Sequence, residues 1–357
     1  MFYLLINLDC LFLLLSCGSG TTSAEDPKTT FLTSIANLGK GFLDVFTSLS
    51  DMVAGAFGIK ADTKKSDIGN YFTSIETTMT SVKKKLQEEV AKNGNYLKIK
   101  EVVDTFITDT LDKIAKGAKT ASGGATGGDA IGNAVKNEDA VAADATSVNA
   151  LVKGIKQMIE VVLKKDEGNA EVDATKAENK KDVGKLFTAT TDGNRADNTA
   201  AQAAAASIGA VTGADILQAI VKSTENPNSD STEGIEKAKD AAEIAIAPVV
   251  NDKKEIKEAE AKKDAVISAA IALRAMAKGG KFSIKNNENE AVTTVNSAAA
   301  SAVNKTLSTL IIAIRNTVDS GLKSISATLA TVTQEDKSVD STTPADAAAS
   351  GSATLKN

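Results

Sequence analysis

Apolar residues at Phe31, Ile35, Leu38, Phe42, Val45, Leu49, Met52 and Ala56 follow one another in alternating steps of four and three, the spacing of one stripe on an α-helix. Asp26-Pro27 stands just before them and supplies an N-cap followed by the residue best tolerated at the first helical position. Near the other end, Val303, Leu307, Leu310, Ile314, Val318, Leu322, Ile325, Leu329 and Val332 repeat the pattern. That segment predicts a helix from Asn289 running some 40 residues, about 60 Å at the α-helical rise. Two long seams at opposite ends of a chain each need a partner surface. The economical solution packs them on each other, with both termini at one end.

Between the seams the pattern predicts helices at Asp67 to Lys92 and at Leu97 to Lys116, the second closed by Gly117. Ile68, Phe72, Ile75, Met79, Val82 and Leu86 face inward from the first, and Ile99, Val103, Phe106, Leu111 and Ile114 from the second. Further helices are expected at Ser147 to Lys165, Lys176 to Phe187, Thr199 to Lys222, Glu233 to Ala247 and Lys253 to Lys278, the last stopped by Gly279-Gly280. Alternation of period two is confined to Lys281-Phe282-Ser283-Ile284-Lys285, which predicts a short strand pairing with a loop. The expected fold class is therefore all-α: an elongated bundle of long N- and C-terminal helices with a distal crown of shorter helices and loops. One helical domain is expected over 26–333, with a changeable distal part at roughly 117–252 and a disordered tail at 334–357.

Large side chains are unevenly distributed. Ten aromatic residues follow the leader, and eight of them precede residue 107. The middle is Ala, Gly, Asp, Asn and Thr broken by polar turns such as Gly117 to Thr146 and Ser223 to Thr232. Such a stretch is expected to lie over the core without adding much to it, and to be cut by protease before the first helix is. Ala265 to Ala277 is different, because it is apolar nearly all round. It should be a central helix closed to antibody in the folded protein, with Arg274 reaching the surface or an acidic partner.

Composition narrows the chemistry. The chain has 357 residues, no His, no Trp and two Cys, which removes imidazole acid–base catalysis, His-containing metal sites and a disulfide framework. Arg occurs only at Arg195, Arg274 and Arg315, and the net charge is -5, so nucleic acid is not an expected partner. Ser122 to Gly128 lacks the Gly-Lys-Ser/Thr ending of a phosphate loop, and Gly279-Gly280-Lys281-Phe282 puts Phe where a hydroxyl is needed. No catalytic, cofactor-binding or metal-binding residue is expected. Lysine clusters such as Lys83-Lys84-Lys85 and Lys253-Lys254 offer point charges to a sulfated polysaccharide, but interspersed Glu and Asp read as solvated helix faces.

The start of the chain reads as a targeting segment. Residues 1–16 are largely apolar and end in Leu14-Leu15-Ser16-Cys17, which resembles a bacterial lipobox with Cys17 as the lipid-modified first mature residue. The start departs from the usual pattern, with no Lys or Arg before Lys28 and with Asp9 and Cys10 inside the apolar run. An ordinary signal peptide with unmodified Cys17, or a buried N-terminal helix, remains the alternative. Residues 17–25 are small and polar and read as a tether of about 15 Å as a random coil. No later stretch reads as apolar enough to cross a membrane.

The run from Lys262 to Lys285 closely resembles a signature segment of the variable large proteins among the variable major surface lipoproteins of Borrelia. Phe31 to Phe42, Thr306 to Lys323 and Cys17 support the resemblance, which spans essentially the whole mature chain. It implies a lipid-anchored antigen on the outer membrane, held by acyl chains on Cys17. Its sequence would be switched by recombination from silent gene copies, so that host antibodies are outrun. It also implies an elongated helical body with membrane-proximal termini and variable regions on the distal face. The alternative is an adhesin for host glycosaminoglycan or extracellular matrix. Whether the protein forms a homodimer stays open.

Overall fold

The computed structural model describes residues 26–332 apart from 55–57, 93–95, 165, 176, 177 and 190. The leader, the tether with Cys17 and the tail at 334–357 lie outside the described residues. Ten α-helices carry the fold described: α1 (Pro27–Ala54), α2 (Lys65–Lys92), α3 (Leu97–Phe106), α4 (Asp112–Ser122), α5 (Ala145–Val162), α6 (Asn198–Gly209), α7 (Gly213–Lys222), α8 (Ala241–Ile246), α9 (Asp264–Met276) and α10 (Asn289–Ala330). The expected all-α bundle is the observed one.

The 42 residues of α10 form a spine about 63 Å long. All nine seam residues from Val303 to Val332 are buried, and α1, α3, α5, α6, α7 and α9 pack along the helix. Among the described residues α10 is the one unbroken helix long and apolar enough by length and composition to cross a membrane, contrary to the expectation that no later stretch is; in this fold it lays its apolar face on the core. α1 runs antiparallel to it: Lys28 Nζ donates to the Val332 carbonyl at 3.2 Å, and Gly39 faces Leu322. Phe31 and Ile35 are buried in that contact. The remaining α1 seam, from Leu38 to Ala56, lies outside the described side chains.

Short polar side chains start the shorter helices. Asp144 accepts from Ser147 N at 2.8 Å to begin α5, Asp197 from Ala200 N at 3.0 Å to begin α6, and Asp240 from Glu243 N at 3.0 Å to begin α8. These bonds satisfy amide groups that have no partner within the helix.

Several predicted boundaries change. Leu97 to Lys116 does not stop at Gly117; after a π-helical turn at Ile107–Leu111 it continues as α4 to Ser122. Gly117 is there for packing, since a Cβ on it would stand 2.7 Å from the Gly154 carbonyl oxygen and 2.7 Å from Met158 of α5. The expected helix from Thr199 to Lys222 is two, α6 and α7, bent by 101°, because Thr212 and Asp215 form a reciprocal capping box that opens a new helix. Of Lys253 to Lys278 only Asp264–Met276 is α-helical, and Ile256 N bonds instead to the Lys181 carbonyl at 2.9 Å. Lys176 to Phe187 gives a 3₁₀ stretch at Glu178–Leu186, and Glu233 to Ala247 gives a 3₁₀ turn at Gly234–Lys237 followed by α8. The Lys281–Lys285 strand is found as two pieces. β3 (Gly279–Lys281) pairs antiparallel with β2 (Val141–Ala143), and β4 (Ser283–Ile284) pairs parallel with β1 (Val135–Lys136).

The largest correction concerns the middle of the chain. It belongs to the core: Val148, Leu151, Val152, Ile155 and Met158 of α5 and Ile216, Leu217 and Ile220 of α7 are fully buried. So are Ala200, Ala201, Ala204, Ala241, Ala242 and Ala245. Small side chains let these backbones approach closely, so an alanine-rich stretch fills space by proximity rather than by bulk.

Candidate functional site

Every residue of α9 is buried, in agreement with the reading of Ala265 to Ala277 as a central helix. It is enclosed by α2, α5, α6, α7, α8 and α10. A helix surrounded on all sides has no solvent face, so its charged groups need partners inside the protein, while the buried Ser268 hydroxyl has none among the described residues.

At the amino end, the Asp264 carboxylate accepts from Thr175 N at 2.8 Å, Thr175 Oγ1 at 2.7 Å and Lys180 Nζ at 3.2 Å. Burial pushes this carboxyl upward, but the bonds from Thr175 and Lys180 outweigh it and hold it below the ordinary range.

At the other end Arg274 corrects the expectation made for it. The side chain is fully buried, yet among the described residues it meets no carboxylate. Nε donates to the Ala245 carbonyl at 3.0 Å, Nη2 to Ala247 at 3.0 Å, and Nη1 to Phe187 at 3.1 Å and Lys281 at 3.4 Å. The guanidinium also lies 4.8 Å from the centre of the Phe187 ring, which stands edge-on to Phe282. Burial draws its pKa down to about 9, so it stays charged at neutral pH, with backbone dipoles in place of a counter-ion.

A second buried cation completes the arrangement. Lys65, the first residue of α2, has no exposure. Its ammonium donates to the carbonyls of Arg274 at 3.0 Å, Ala277 at 2.7 Å and Gly280 at 3.1 Å, and to that of Gly279. Burial, with the Arg274 guanidinium nearby, lowers its pKa to about 7, against the pull of Asp129. Gly279 and Gly280 both have positive φ, 68° and 66°. A Cβ on Gly280 would stand 2.5 Å from the Arg274 carbonyl oxygen and 3.3 Å from Lys65 Nζ. The Gly-Gly pair, read as a helix stop, therefore also turns the chain so that its carbonyls close on the ammonium. Nothing local marks Lys65 in the sequence, because its four acceptors lie more than 200 residues away.

These groups hold structure and show no paired acid and base acting on a substrate. Among the described residues no group of three or more Asp, Glu, His or Cys is placed to hold a metal ion. A shallow depression of about 440 Å³ lies between Ile59–Ala61 and α10, and Lys305 on its rim spends its ammonium on the Ile208 and Val211 carbonyls, both at 2.7 Å. Several surface lysines are matched by carboxylates: Lys83 meets Asp112 at 2.8 Å, Lys253 meets Glu233 at 2.8 Å, Lys257 meets Glu236 at 2.7 Å, and Lys84 lies 3.9 Å from Glu88. Cys17, the one site residue assigned from sequence, falls outside the described residues.

Comparison with known proteins places this architecture. The chain is 72% identical over 338 residues to Variable large protein 17 of Borrelia hermsii, covering 95% of this chain and 94% of that protein. It is 66% identical over 341 residues to Variable large protein 4 of the same organism, covering 95% of each. The crystal structure of the Lyme disease variable surface antigen VlsE of Borrelia burgdorferi superposes with a TM-score of 0.67 at 36% identity, covering 84% of this chain and 99% of that one. The family model of the Borrelia lipoproteins matches residues 42–329, and on these grounds the chain belongs to the Borrelia lipoprotein family.

Proposed function

We propose that this chain is a lipid-anchored antigen of the outer membrane surface, a coat protein without catalysis whose changeable exterior evades host antibody. In this reading residues 1–16 are a signal peptide, Cys17 carries the acyl chains, and one helical body stands on a short tether. The observation that carries it is the nature of the partners around α9. Arg274 and Lys65 are held by backbone carbonyls of residues 187, 245, 247, 274, 277, 279, 280 and 281. A carbonyl is present whatever side chain the residue bears. Side-chain changes in the surrounding segments therefore leave the clamps intact wherever the backbone path is kept, which is what an antigen that varies on a constant fold needs.

Two experiments test the reading. Replacing the exposed side chains of Thr224, Asn228 and Ser231 should weaken binding of serum fractions directed at that loop on intact cells while leaving the melting temperature nearly unchanged. Antibody raised to the peptide 265–277 should bind denatured protein and fail on intact cells; equal binding to both would remove the basis of the proposal. For the anchor, Cys17→Ala should abolish acyl labelling and release the protein from the membrane. The carboxylates paired with Lys83, Lys253 and Lys257 favour a coat over an adhesin, and heparin binding at physiological ionic strength would reverse that preference.

A further inference from the structure

The start of α1, the end of α10 and the corner between α2 and α3 meet at one end of the bundle. A narrow crevice there is lined by Lys28, Phe31, Val90, Tyr96, Ile99 and Leu329. Leu97, the first residue of α3, projects beside it at 63% exposure, more than the other exposed large hydrophobics among the described residues, Ile312 at 52% and Val141 at 49%. Tyr96 next to it is partly buried, packed against the core on one side.

The chain outside the described residues says what lies opposite this corner. Eight residues lie between Cys17 and Asp26, and the nine steps of chain, fully extended, reach no more than about 32 Å. An acylated Cys17 thus keeps this end of the bundle within about 32 Å of a bilayer. A leucine beside a tyrosine suits the boundary of acyl chains and headgroups, where an apolar body with a polar tip is favoured. Charges of both signs flank the corner along the chain, with Lys28, Lys98 and Lys100 against Asp26, Glu88, Glu89, Glu101 and Asp104, and Lys100 already pairs with Asp104 at 3.2 Å. The contact then draws on apolar burial and not on anionic lipid. One leucine and part of a tyrosine are too small for a second copy of the chain, since a stable interface buries about 800 Å² per partner.

We propose that the Tyr96–Leu97 corner is a membrane foot that rests in the headgroup region and holds the bundle upright, with the amino end of α10 pointing away. The inference rests on the reading of Cys17 as the lipid anchor. The absence of Trp from the chain makes a clean test: Leu97→Trp and, as a control, Ile312→Trp are each a unique fluorophore in the full-length acylated protein. The proteins are placed on phosphatidylcholine vesicles with and without brominated acyl chains. Emission of Leu97→Trp should be blue-shifted on the vesicles and quenched at least about twofold by bromine, with Ile312→Trp unchanged and no dependence on added phosphatidylglycerol. A vesicle-bound protein with unquenched Leu97→Trp overturns the foot, as does equal quenching of both variants, which means the bundle lies flat. A blue shift that grows with protein concentration without lipid overturns it in favour of a second copy. Failure of the acylated protein to float with vesicles strikes the anchor reading itself, and is distinct from the other results.

Discussion

Two apolar helices, α9 and α10, are held in different ways. α10 is one-sided along most of its length: Val303, Leu307, Leu310, Ile314, Val318, Leu322, Ile325 and Leu329 are buried, while Ile312, Asn316 and Lys323 face water. Its hold on the fold is distributed over many apolar side chains, each contributing its transfer term. α9 is buried on every side and carries Asp264, Ser268 and Arg274 inside the protein. Its position is set by polar clamps at its two ends, one gripping Thr175 and Lys180, the other joining Arg274 to the carbonyls of Phe187, Ala245, Ala247 and Lys281 and closed by Lys65. The seam of α10 tolerates exchange of one hydrocarbon for another of equal volume. The clamps of α9 tolerate change around them but not in them.

The sharpest way to break this contrast is Arg274→Met. It fills similar space but leaves four buried carbonyls without their donor, and should cost about 3–5 kcal/mol in urea unfolding; Arg274→Lys should recover only part, because an ammonium cannot copy the planar fork. A loss below about 1 kcal/mol would mean the clamp does not set α9. On α10, Leu310→Ala should cost about 2–4 kcal/mol by opening a cavity, whereas Leu310→Met should cost less than about 1.5 kcal/mol. Equal sensitivity of Leu310→Met and Arg274→Lys would erase the distinction between the two helices.

The third effect is a pH dependence confined to the clamp. Folded Lys65 releases its proton near pH 7, while in the unfolded chain its pKa is the ordinary 10.5. Between these values the unfolded state binds more protons, so stability from this group rises with pH, by at most about 1.4 kcal/mol per pH unit. Wild type should therefore gain on Lys65→Met as pH goes from about 7 to about 10. Buried Tyr71, whose pKa is raised by desolvation, acts against folding above its ordinary value of 10.0 in both proteins and cancels in the difference. A flat difference curve would show that Lys65 keeps its proton throughout. The smallest effect belongs to the surface: Lys83→Ala breaks a pair in which both side chains are about a third or more exposed, and unfolding should shift by no more than about 1 kcal/mol.

Much of the frame was legible because its burial is periodic. A helix with one face inward writes a stripe at steps of three and four, and the seams at Phe31 and Ile35, at Ile68 to Leu86 and at Val303 to Val332 are buried as that stripe requires. The Gly-Gly stop after α9 and the short strand at Lys281–Lys285 were legible from backbone chemistry. The alanine-rich middle was misread because hydrophobic size is a poor guide where helices touch through small residues: Gly117 and Gly154 of α4 and α5 sit so close that neither has room for a Cβ. The break between α6 and α7 was written in Thr212 and Asp215, but a capping box inside a long apolar stretch is easily passed over.

By itself, then, the sequence determined the all-α class, the long terminal helices with their antiparallel seam and the buried central helix, since each depends on neighbours a few residues apart. Only the tertiary structure decided that Lys65 and Arg274 share one buried knot. Their acceptors are main-chain carbonyls, which every residue carries and no side-chain pattern reveals, and these come from segments brought together only by folding.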